Sequence, residues 1–334
     1  MREESPPLVS VVIVTWNSAA YLPRCLDALA AQTRTDFELI IVDNGSTDGG
    51  TASLERSRLS LRPRLELLGT NRGFAYANNL GARIARGQWL VLLNADAFPD
   101  PAWLEELLRA AEASPPGTFF ASRQIQWGQP DLLDGEGDEY HVSGLAWRRN
   151  YGARLYPARR PQEVFSACAA AAMYPRAEFV AAGGFDEDFF AYLEDVDLGF
   201  RLRLRGLRCS FIPSAVVHHV GTASTGLGSD FAVYHGHRNL VWAFVKDMPA
   251  SLLWLNMPLA VAMNIFYVLS FTFRGRGRVI FRAKWDALRG LPAVLQKRRA
   301  VQAARVVEAD AVHRCMQRGI LAPLRARRLR LHPE

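Results

Sequence analysis

An α/β fold, with a mostly parallel sheet covered by helices on both faces, is what the first hundred residues predict. Three observations carry it. Short β-branched runs recur, each is followed by a helix-like stretch, and the runs are continuously apolar rather than alternating. A strand buried on both faces reads as such a run, and a parallel sheet needs a helix in each crossover. The run Val-Ser-Val-Val-Ile-Val-Thr at 9–15 predicts the first strand, and residues 19–32 a helix with Leu22, Leu26 and Leu29 on one stripe. Residues 38–43 form a second apolar run, stopped by the turn-rich Asn44-Gly45-Ser46-Thr47-Asp48-Gly49. A third strand is expected at 65–68, a helix at 75–86 and a fourth strand at 89–93. Another helix begins after Pro101, since proline suits a first helical turn. Residues 126–162 loosen into Gly, Asp, Arg and Tyr, the pattern of long loops over a site. Regular structure is expected again from Val164, and no internal repeat is evident.

Composition limits the functional classes. The chain has 334 residues, 49% apolar and 22% charged, ordinary for a globular protein with a sizeable core. Four well-separated cysteines, Cys25, Cys168, Cys209 and Cys315, exclude a disulfide scaffold or a Cys-rich zinc module and fit a reducing compartment. The acidic, prolyl start predicts no secretory leader. The net charge of +7 divides unevenly: residues 274–334 carry 16 basic and four acidic groups, a balance of +12, which leaves −5 on residues 1–273. A basic tail on an acidic body points to a polyanion or an anionic membrane surface. Nucleic acid is the weaker choice, because the tail has little aromatic interleaving for base stacking.

Ligands of open α/β sheets bind off the carboxyl ends of the strands, and three acid-bearing segments fall there. They are Asp43, Asn94-Ala95-Asp96 and Glu194-Asp195-Val196-Asp197. Acids after strands are commonly turn formers and helix caps. Asp96 is also suited to a hard divalent cation, since Mg2+ takes one or two carboxylates and completes its shell with substrate phosphates. The acidic run from Asp186 to Asp197 is interleaved with Phe189, Phe190 and Tyr192, rings that favour burial. Carboxylates drawn into a partly apolar cleft acquire the raised pKa that a general base needs. His218 and His219 compete as a further metal ligand. The 24-residue spacing from Asp195 favours His219.

These segments, in this order, resemble the inverting glycosyltransferases of family 2. The resemblance runs from about residue 9 to residue 224, through Thr15-Trp16-Asn17, Asp43-Asn44-Gly45-Ser46, Asn71-Arg72-Gly73-Phe74, Asn78-Asn79-Leu80-Gly81 and Asn94-Ala95-Asp96 to Gly183-Gly184-Phe185-Asp186-Glu187, Glu194-Asp195-Val196-Asp197-Leu198 and His218-His219. It is closest in pattern to the rhamnosyltransferase-like branch of cell-envelope glycan assembly. The resemblance implies a GT-A fold, Rossmann-like, and an enzyme that moves a sugar from a dTDP- or UDP-sugar donor to a glycan or polyprenyl-linked acceptor. By the same resemblance Thr15 and Asn17 line the nucleotide pocket, and Asp43 accepts the pyrimidine imide N–H. Arg72 and Asn79 border the nucleotide and donor sugar. Asp96 and His219 hold Mg2+ or Mn2+ on the diphosphate. Asp195 is the general base, Glu194 orients the acceptor, and Gly183 and Gly184 let it approach. Two positions depart from the family's pattern: Asn94 stands where the first metal-motif Asp is usual, and Ala169 where relatives often have Gly. A non-catalytic nucleotide-sugar-binding scaffold is the alternative, against which the presence of both Asp96 and Asp195 counts. A nucleotidyltransferase is disfavoured because no Gly-rich loop with Lys or Arg precedes the first helix.

The expected division is a catalytic domain over 1–240, with a nucleotide half at about 8–115 and an acceptor half at about 116–240, then a helical basic region over 241–334. Residues 248–273 contain no charged side chain and are long enough to span a bilayer, for which about 20 apolar residues suffice. The cluster at Arg274, Arg276 and Arg278 would keep the following chain cytoplasmic. A cytoplasmic sugar donor requires the same of the preceding chain. A re-entrant or interfacial helix against anionic lipid is therefore expected, which places the protein in the cytoplasm on the cytoplasmic face of the inner membrane. A core helix or a homo-oligomer interface is the other reading of this segment.

Overall fold

The computed structural model describes residues 6–51, 62–157, 160–221, 228–319 and 322–323. The end of the family resemblance at 222–224 and the arginines at 325, 327, 328 and 330 lie outside that set.

The chain runs β1 (Val9–Thr15), α1 (Leu22–Ala30), β2 (Phe37–Asp43), β3 (Arg64–Leu67), α2 (Phe74–Ile84), β4 (Trp89–Asn94), β5 (Ala97–Pro99) and α3 (Trp103–Ala113). It continues with β6 (Thr118–Gln126), β7 (Leu133–Gly135), β8 (Asp138–Tyr140), β9 (Ala146–Arg148), β10 (Gln162–Val164), β11 (Ala171–Pro175), α4 (Arg176–Ala181), α5 (Glu194–Leu204) and β12 (Arg208–His219). Five helices follow: α6 (Asp230–Asp247), α7 (Ala250–Phe273), α8 (Gly277–Arg289), α9 (Leu291–Ala303) and α10 (Ala309–Arg314).

The main sheet is ordered β10-β12-β6-β11-β4-β1-β2-β3. Its β4-β1-β2-β3 part is parallel, as predicted, and β11 enters antiparallel between β4 and β6. Alternation along β1 shows why both faces are apolar. Val9, Val11 and Ile13 pack towards α1 and α3, while Val12 packs on the other side with Ala75, Ala77 and Ala82 of α2. Helix α1 buries Leu22, Cys25, Leu26 and Leu29, one stripe at helical spacing, with Pro23 in its first turn. The parallel register sets Thr15 beside Asp43, so β1 and β2 end together at one edge of the sheet.

Two expectations need correction. Residues 126–162 do not form loose loops. They contain three short strands and bury Asp134, Glu136 and Asp138, with Arg123 paired to Glu136 at 2.8 Å. A boundary at 240 is also wrong, because it falls inside α6. That helix is bonded into the catalytic body: the Lys246 ammonium, 2% exposed, lies between Asp186 at 2.5 Å and Asp197. Arg201 adds a 2.6 Å bond to Asp197, and Lys297 of α9 reaches both Asp186 and Asp188. Tyr140, Phe165, Val196 and Phe200 share a further apolar cluster with Phe244, Leu252 and Leu253. The helical reading of the basic region is met by α8, α9 and α10 as far as Arg314.

Removing one partner of a buried charge pair leaves the other uncompensated, at a cost of about 3–5 kcal/mol. Lys246→Ala is therefore expected to lower the unfolding free energy extrapolated from urea titration by an amount in that range. Burial alone would raise the Asp186 pKa, but Lys246 and then Lys297 hold it below the ordinary carboxylate range. The folded pKa lies below the unfolded one, so this contribution is complete above about pH 4 and disappears as the pH falls further. The wild type should lose stability more steeply than the variant over that acid range in urea titrations at stepped pH.

Candidate active site

The carboxyl ends of β1 and β2 build one wall from short polar side chains. Asn17 adopts a left-handed backbone, φ 50°, and its Oδ1 accepts from the Thr47 N–H at 2.8 Å. The buried Asp43 accepts from the Ser46 N–H at 2.9 Å and the Thr51 hydroxyl at 3.0 Å, which folds the turn after β2 back over the strand end. Asn44 extends the wall by accepting from the Arg72 N–H at 2.8 Å. The Arg72 guanidinium lies 3.6 Å from the centre of the Tyr76 ring and remains exposed on the outer side of this edge.

At the end of β4 the turn through Asp96 meets the end of β12. His219 Nε2 lies 3.3 Å from Asp96 Oδ1 and 3.4 Å from Asn94 Nδ2. His219 Nδ1 donates to Asp134 at 2.7 Å, and Asp134 is itself paired with Arg148. This contact fixes the ring so that Nε2 faces Asp96, the usual way a carboxylate orients a metal-ligating imidazole. Burial alone would raise Asp96, yet the His219 hydrogen bond and charge leave its pKa lowered. Burial would lower His219, but Asp134 and then Asp96 bring it up to about 9. His218 points elsewhere, 3.2 Å from Asp100 on the half-exposed side of the strand. Of the two histidines, His219 alone faces Asp96. No group of three or more His, Cys, Asp or Glu among the described residues could hold a metal by itself. Asp96 with His219 instead fits a cation that completes its shell with phosphate oxygens.

The third segment begins with Gly183 and Gly184, both left-handed, with φ of 86° and 65°. A Cβ on Gly184 would fall 2.4 Å from Asn79 Oδ1, whereas one on Gly183 would meet nothing within 4 Å. Both glycines supply the left-handed turn, and Gly184 in addition lets the Asn79 amide approach closely. Asn79, expected beside the donor sugar, has another task. Its amide donates to the Phe185 carbonyl at 2.9 Å and Glu187 at 3.0 Å, and accepts from the Phe185 N–H at 2.8 Å. Both of its N–H donors are thus engaged in holding this loop.

Three non-glycine residues just before α5 are left-handed: Phe190, Tyr192 and Leu193, with φ of 65°, 70° and 68°. Each costs roughly 1–3 kcal/mol unless its surroundings enforce it. Asn239 of α6 supplies the enforcement. Fully buried, its Nδ2 lies 3.0, 3.0 and 2.8 Å from the carbonyls of Phe189, Ala191 and Tyr192. Gly73 is required opposite, where a Cβ would lie 2.7 Å from the Phe190 ring. The loop delivers Glu194 and Asp195 to the N-terminus of α5. Asp195 accepts from the Ala169 N–H at 3.0 Å and the Val196 N–H at 2.8 Å and stays partly exposed. Its pKa is raised by burial, against the lowering effect of those N–H groups and Arg148. Burial and then Asp195 push Glu194 well above the usual range, and its Oε2 has no partner among the described residues.

The sequence reading missed Asp134, Arg148 and Asn239. Asp134 had a signal in Asp134-Gly135-Glu136-Gly137-Asp138, where acid and glycine alternate and all three acids face inward. Asn239 and Arg148 had none, since each gains its role from a partner distant in sequence.

Comparison with known proteins agrees with this geometry. Residues 10–179 match the sequence profile of glycosyl transferase family 2. The chain is 29% identical over 286 residues to the N-acetylglucosaminyl-diphospho-decaprenol L-rhamnosyltransferase of Mycobacterium tuberculosis, an alignment covering 75% of this chain and 88% of that protein. It is 33% identical over 235 residues to the O-antigen biosynthesis protein RfbC of Myxococcus xanthus, covering 64% of this chain and 17% of that much longer one. Among solved structures, S. aureus TarS 1–349 with UDP-GlcNAc superposes with a TM-score of 0.58 at 17% identity, covering 91% of this chain and 89% of that one. The mannosyltransferase PcManGT of Pyrobaculum calidifontis, with GDP-Man and Mn2+, gives 0.54 at 19% identity, covering 92% and 86%. These structures share the GT-A architecture of this chain.

The loop geometry predicts a separable defect. Asn239→Ala should lower turnover at least tenfold while leaving nucleotide affinity, read by calorimetry, within about twofold, because the wall formed by Asn17, Asp43 and Asn44 does not touch α6. A matching loss of both would remove Asn239 from the positioning role.

Proposed function

This chain belongs to glycosyl transferase family 2 and is a glycosyltransferase. We propose that it moves a hexose, rhamnose foremost, from a dTDP- or UDP-sugar to a hydroxyl of a cell-envelope glycan or polyprenyl-diphosphate-linked acceptor, with inversion at the anomeric carbon. The observation that carries this reading is the opposite drift of two carboxylates along one sheet edge. Asp96 is held ionised beside His219, whereas Asp195 is shifted up towards proton acceptance. Environments that push two titratable groups apart assign one to charge stabilisation and the other to proton transfer. A relative named for L-rhamnosyl transfer to N-acetylglucosaminyl-diphospho-decaprenol supports the sugar and the lipid-linked acceptor.

In this reading Thr15, Asn17 and Asp43 border the base and ribose, Arg72 reaches the nucleotide from the exposed side, and Asp96 and His219 face the diphosphate. A divalent cation, Mg2+ or Mn2+, supplies positive charge against the leaving diphosphate when bound there. Asp195 takes the proton of the acceptor hydroxyl. The oxygen then bonds to the anomeric carbon while the bond to the diphosphate oxygen breaks and its electron pair departs with the nucleotide. Two backbone N–H groups fix the Asp195 carboxylate in place, and Arg148 counteracts the upward shift that burial gives it. Glu194, its pKa pushed up by burial and by Asp195, orients the acceptor sugar. The enzyme works in the cytoplasm, on the cytoplasmic face of the inner membrane.

Asp195→Asn should lower turnover by about 10²–10⁴, the usual value of a general base, with Mn2+-dependent dTDP or UDP affinity unchanged in calorimetric titration. Asp96→Ala should abolish the metal-dependent part of that affinity, and GDP should bind neither protein if Asp43 selects the pyrimidine. Because the Asp195 pKa is raised and its ionised form is the active one, the acid limb of kcat/KM should lie above about pH 4, the ordinary aspartate value. An acid limb at or below that value would contradict Asp195 as the base.

A further inference from the structure

We propose that the outward faces of α7 and α8 form a single surface that lies flat in the headgroup region of an anionic membrane. Helix α7 is amphipathic in the inverted sense. Leu252, Leu253 and Ala260 face the protein core, while Trp254, Leu255, Ile265, Phe266, Leu269 and Phe273 face outward. Trp254 is 72% and Phe273 88% exposed, and soluble monomers rarely carry so large a contiguous apolar patch without a partner. Three polar side chains on α7 bond back to their own helix. Asn256, Asn264 and Thr272 each donate to the carbonyl four residues earlier, at 2.8 Å.

Helix α8 completes the surface. Its buried side is Ile280, Ala283 and Ala287, and its exposed side repeats Arg278, Phe281, Arg282, Trp285, Leu288 and Arg289. The one acid on α8, Asp286, accepts from the Tyr234 hydroxyl at 2.8 Å and lies 3.8 Å from Arg282, which leaves Arg278 and Arg289 without an acid on this helix. Arginine alternating with Phe, Trp and Leu on an exposed helical face is the composition of an interfacial helix.

The path of the chain decides between crossing the bilayer and lying on it. Helix α7 has 24 residues, about 36 Å at the α-helical rise. It leaves the end of α6 at the buried Met248, and just past its own end Arg276 bonds the Gly228 carbonyl at 2.5 Å and Asp230 at the start of α6. Between them His237 of α6 meets the Tyr267 ring at a tilt and the Phe271 ring edge-on, with ring centres 5.1 and 5.0 Å apart. The chain of α7 therefore returns towards the start of α6, and both of its ends are held at α6. That path fits a helix lying on the bilayer surface better than one crossing it. A second copy of the chain is the rival occupant. Self-pairing of this face about a twofold axis would bring its arginines together, whereas anionic lipid meets them with opposite charge.

The biological use of this surface rests on the lipid-linked acceptor proposed above, but docking is measured without donor or acceptor. Failure of one therefore leaves the other intact. Full-length protein should float with phosphatidylcholine vesicles containing phosphatidylglycerol, less so in high salt, and its tryptophan emission should shift to the blue. Trp254→Glu with Phe266→Glu should abolish flotation while thermal unfolding and Mn2+-dependent UDP binding stay as in the wild type. Replacing Arg278, Arg282 and Arg289 by Gln should weaken vesicle binding on the order of 100-fold, at about fivefold per arginine. Equal binding to neutral and anionic vesicles would overturn the charge argument. Indifference to both vesicles, with a sedimenting dimer that the double-Glu variant splits, would make the face a subunit interface instead.

Discussion

The ammonium of Lys246 sits between Asp186 and Asp197, and the arrangement of the acceptor side depends on it. Asp186 opens the segment that leads into the left-handed turn, and Asp197 lies on α5 two residues beyond the proposed base. One buried cation therefore fixes both sides of the strained residues 190–193 relative to α6. Arg201, paired with Asp197, donates to the carbonyls of Ala182 and Gly184 at 2.6 and 2.7 Å, so the glycine turn is tied to the same cluster. A buried ion network is weak evidence for net stability, because desolvation offsets much of the attraction. Its effect here is geometric. The pKa of Asp247, buried beside this cluster, is driven well above the usual range by burial and then by Asp197.

The same logic explains why Asp96 and Asp195 behave differently at neighbouring strand and helix ends. Asp96 has an imidazole at 3.3 Å that is itself charged by Asp134. Asp195 has two backbone N–H groups, a distant guanidinium and a carboxyl group directly before it in sequence. Arg148 acts on both sides, since it pairs with Asp134 and also lowers Asp195. The short strands β7 and β9 carry Asp134 and Arg148 between the two carboxylates, so this excursion from the main sheet sets the electrostatics of the site rather than covering it.

That excursion was the least legible part of the sequence. Continuous apolar runs revealed β1, β2 and β4 because burial on both faces leaves a strong local signature, and the acids at their ends followed from topology. The segment 126–162 is held by specific pairs such as Arg123 with Glu136, and paired charges look like solvated loop from composition alone. Asn79 was recognisable as a site neighbour but not in its direction. Its amide faces the loop at Phe185 because α2 presents that side to the glycine turn. The three left-handed residues before Glu194 had no local signal, since Phe, Tyr and Leu give none of the cues that Gly or Asn would. What holds them is Asn239, some fifty residues on.

Helix α6 joins these two sets of constraints. On one side Arg238, Asn239 and Lys246 bond the loop that leads to Asp195, the proposed base. On the other, His237 receives Tyr267 and Phe271 of α7, while the Trp242 indole donates to the Ala287 carbonyl of α8 at 3.0 Å. Adjacent residues of one helix thus face the catalytic loop and the exposed apolar helices. An 18-residue helix locked by buried charge at its end is a stiff connection. The orientation of Asp195 relative to the outer face of α7 and α8 is therefore fixed within the fold. A surface that lies flat on lipid through those helices holds the base at a constant height above the bilayer, and an acceptor whose reacting sugar is linked through a diphosphate to a membrane-embedded chain presents its hydroxyl at a similarly constant height.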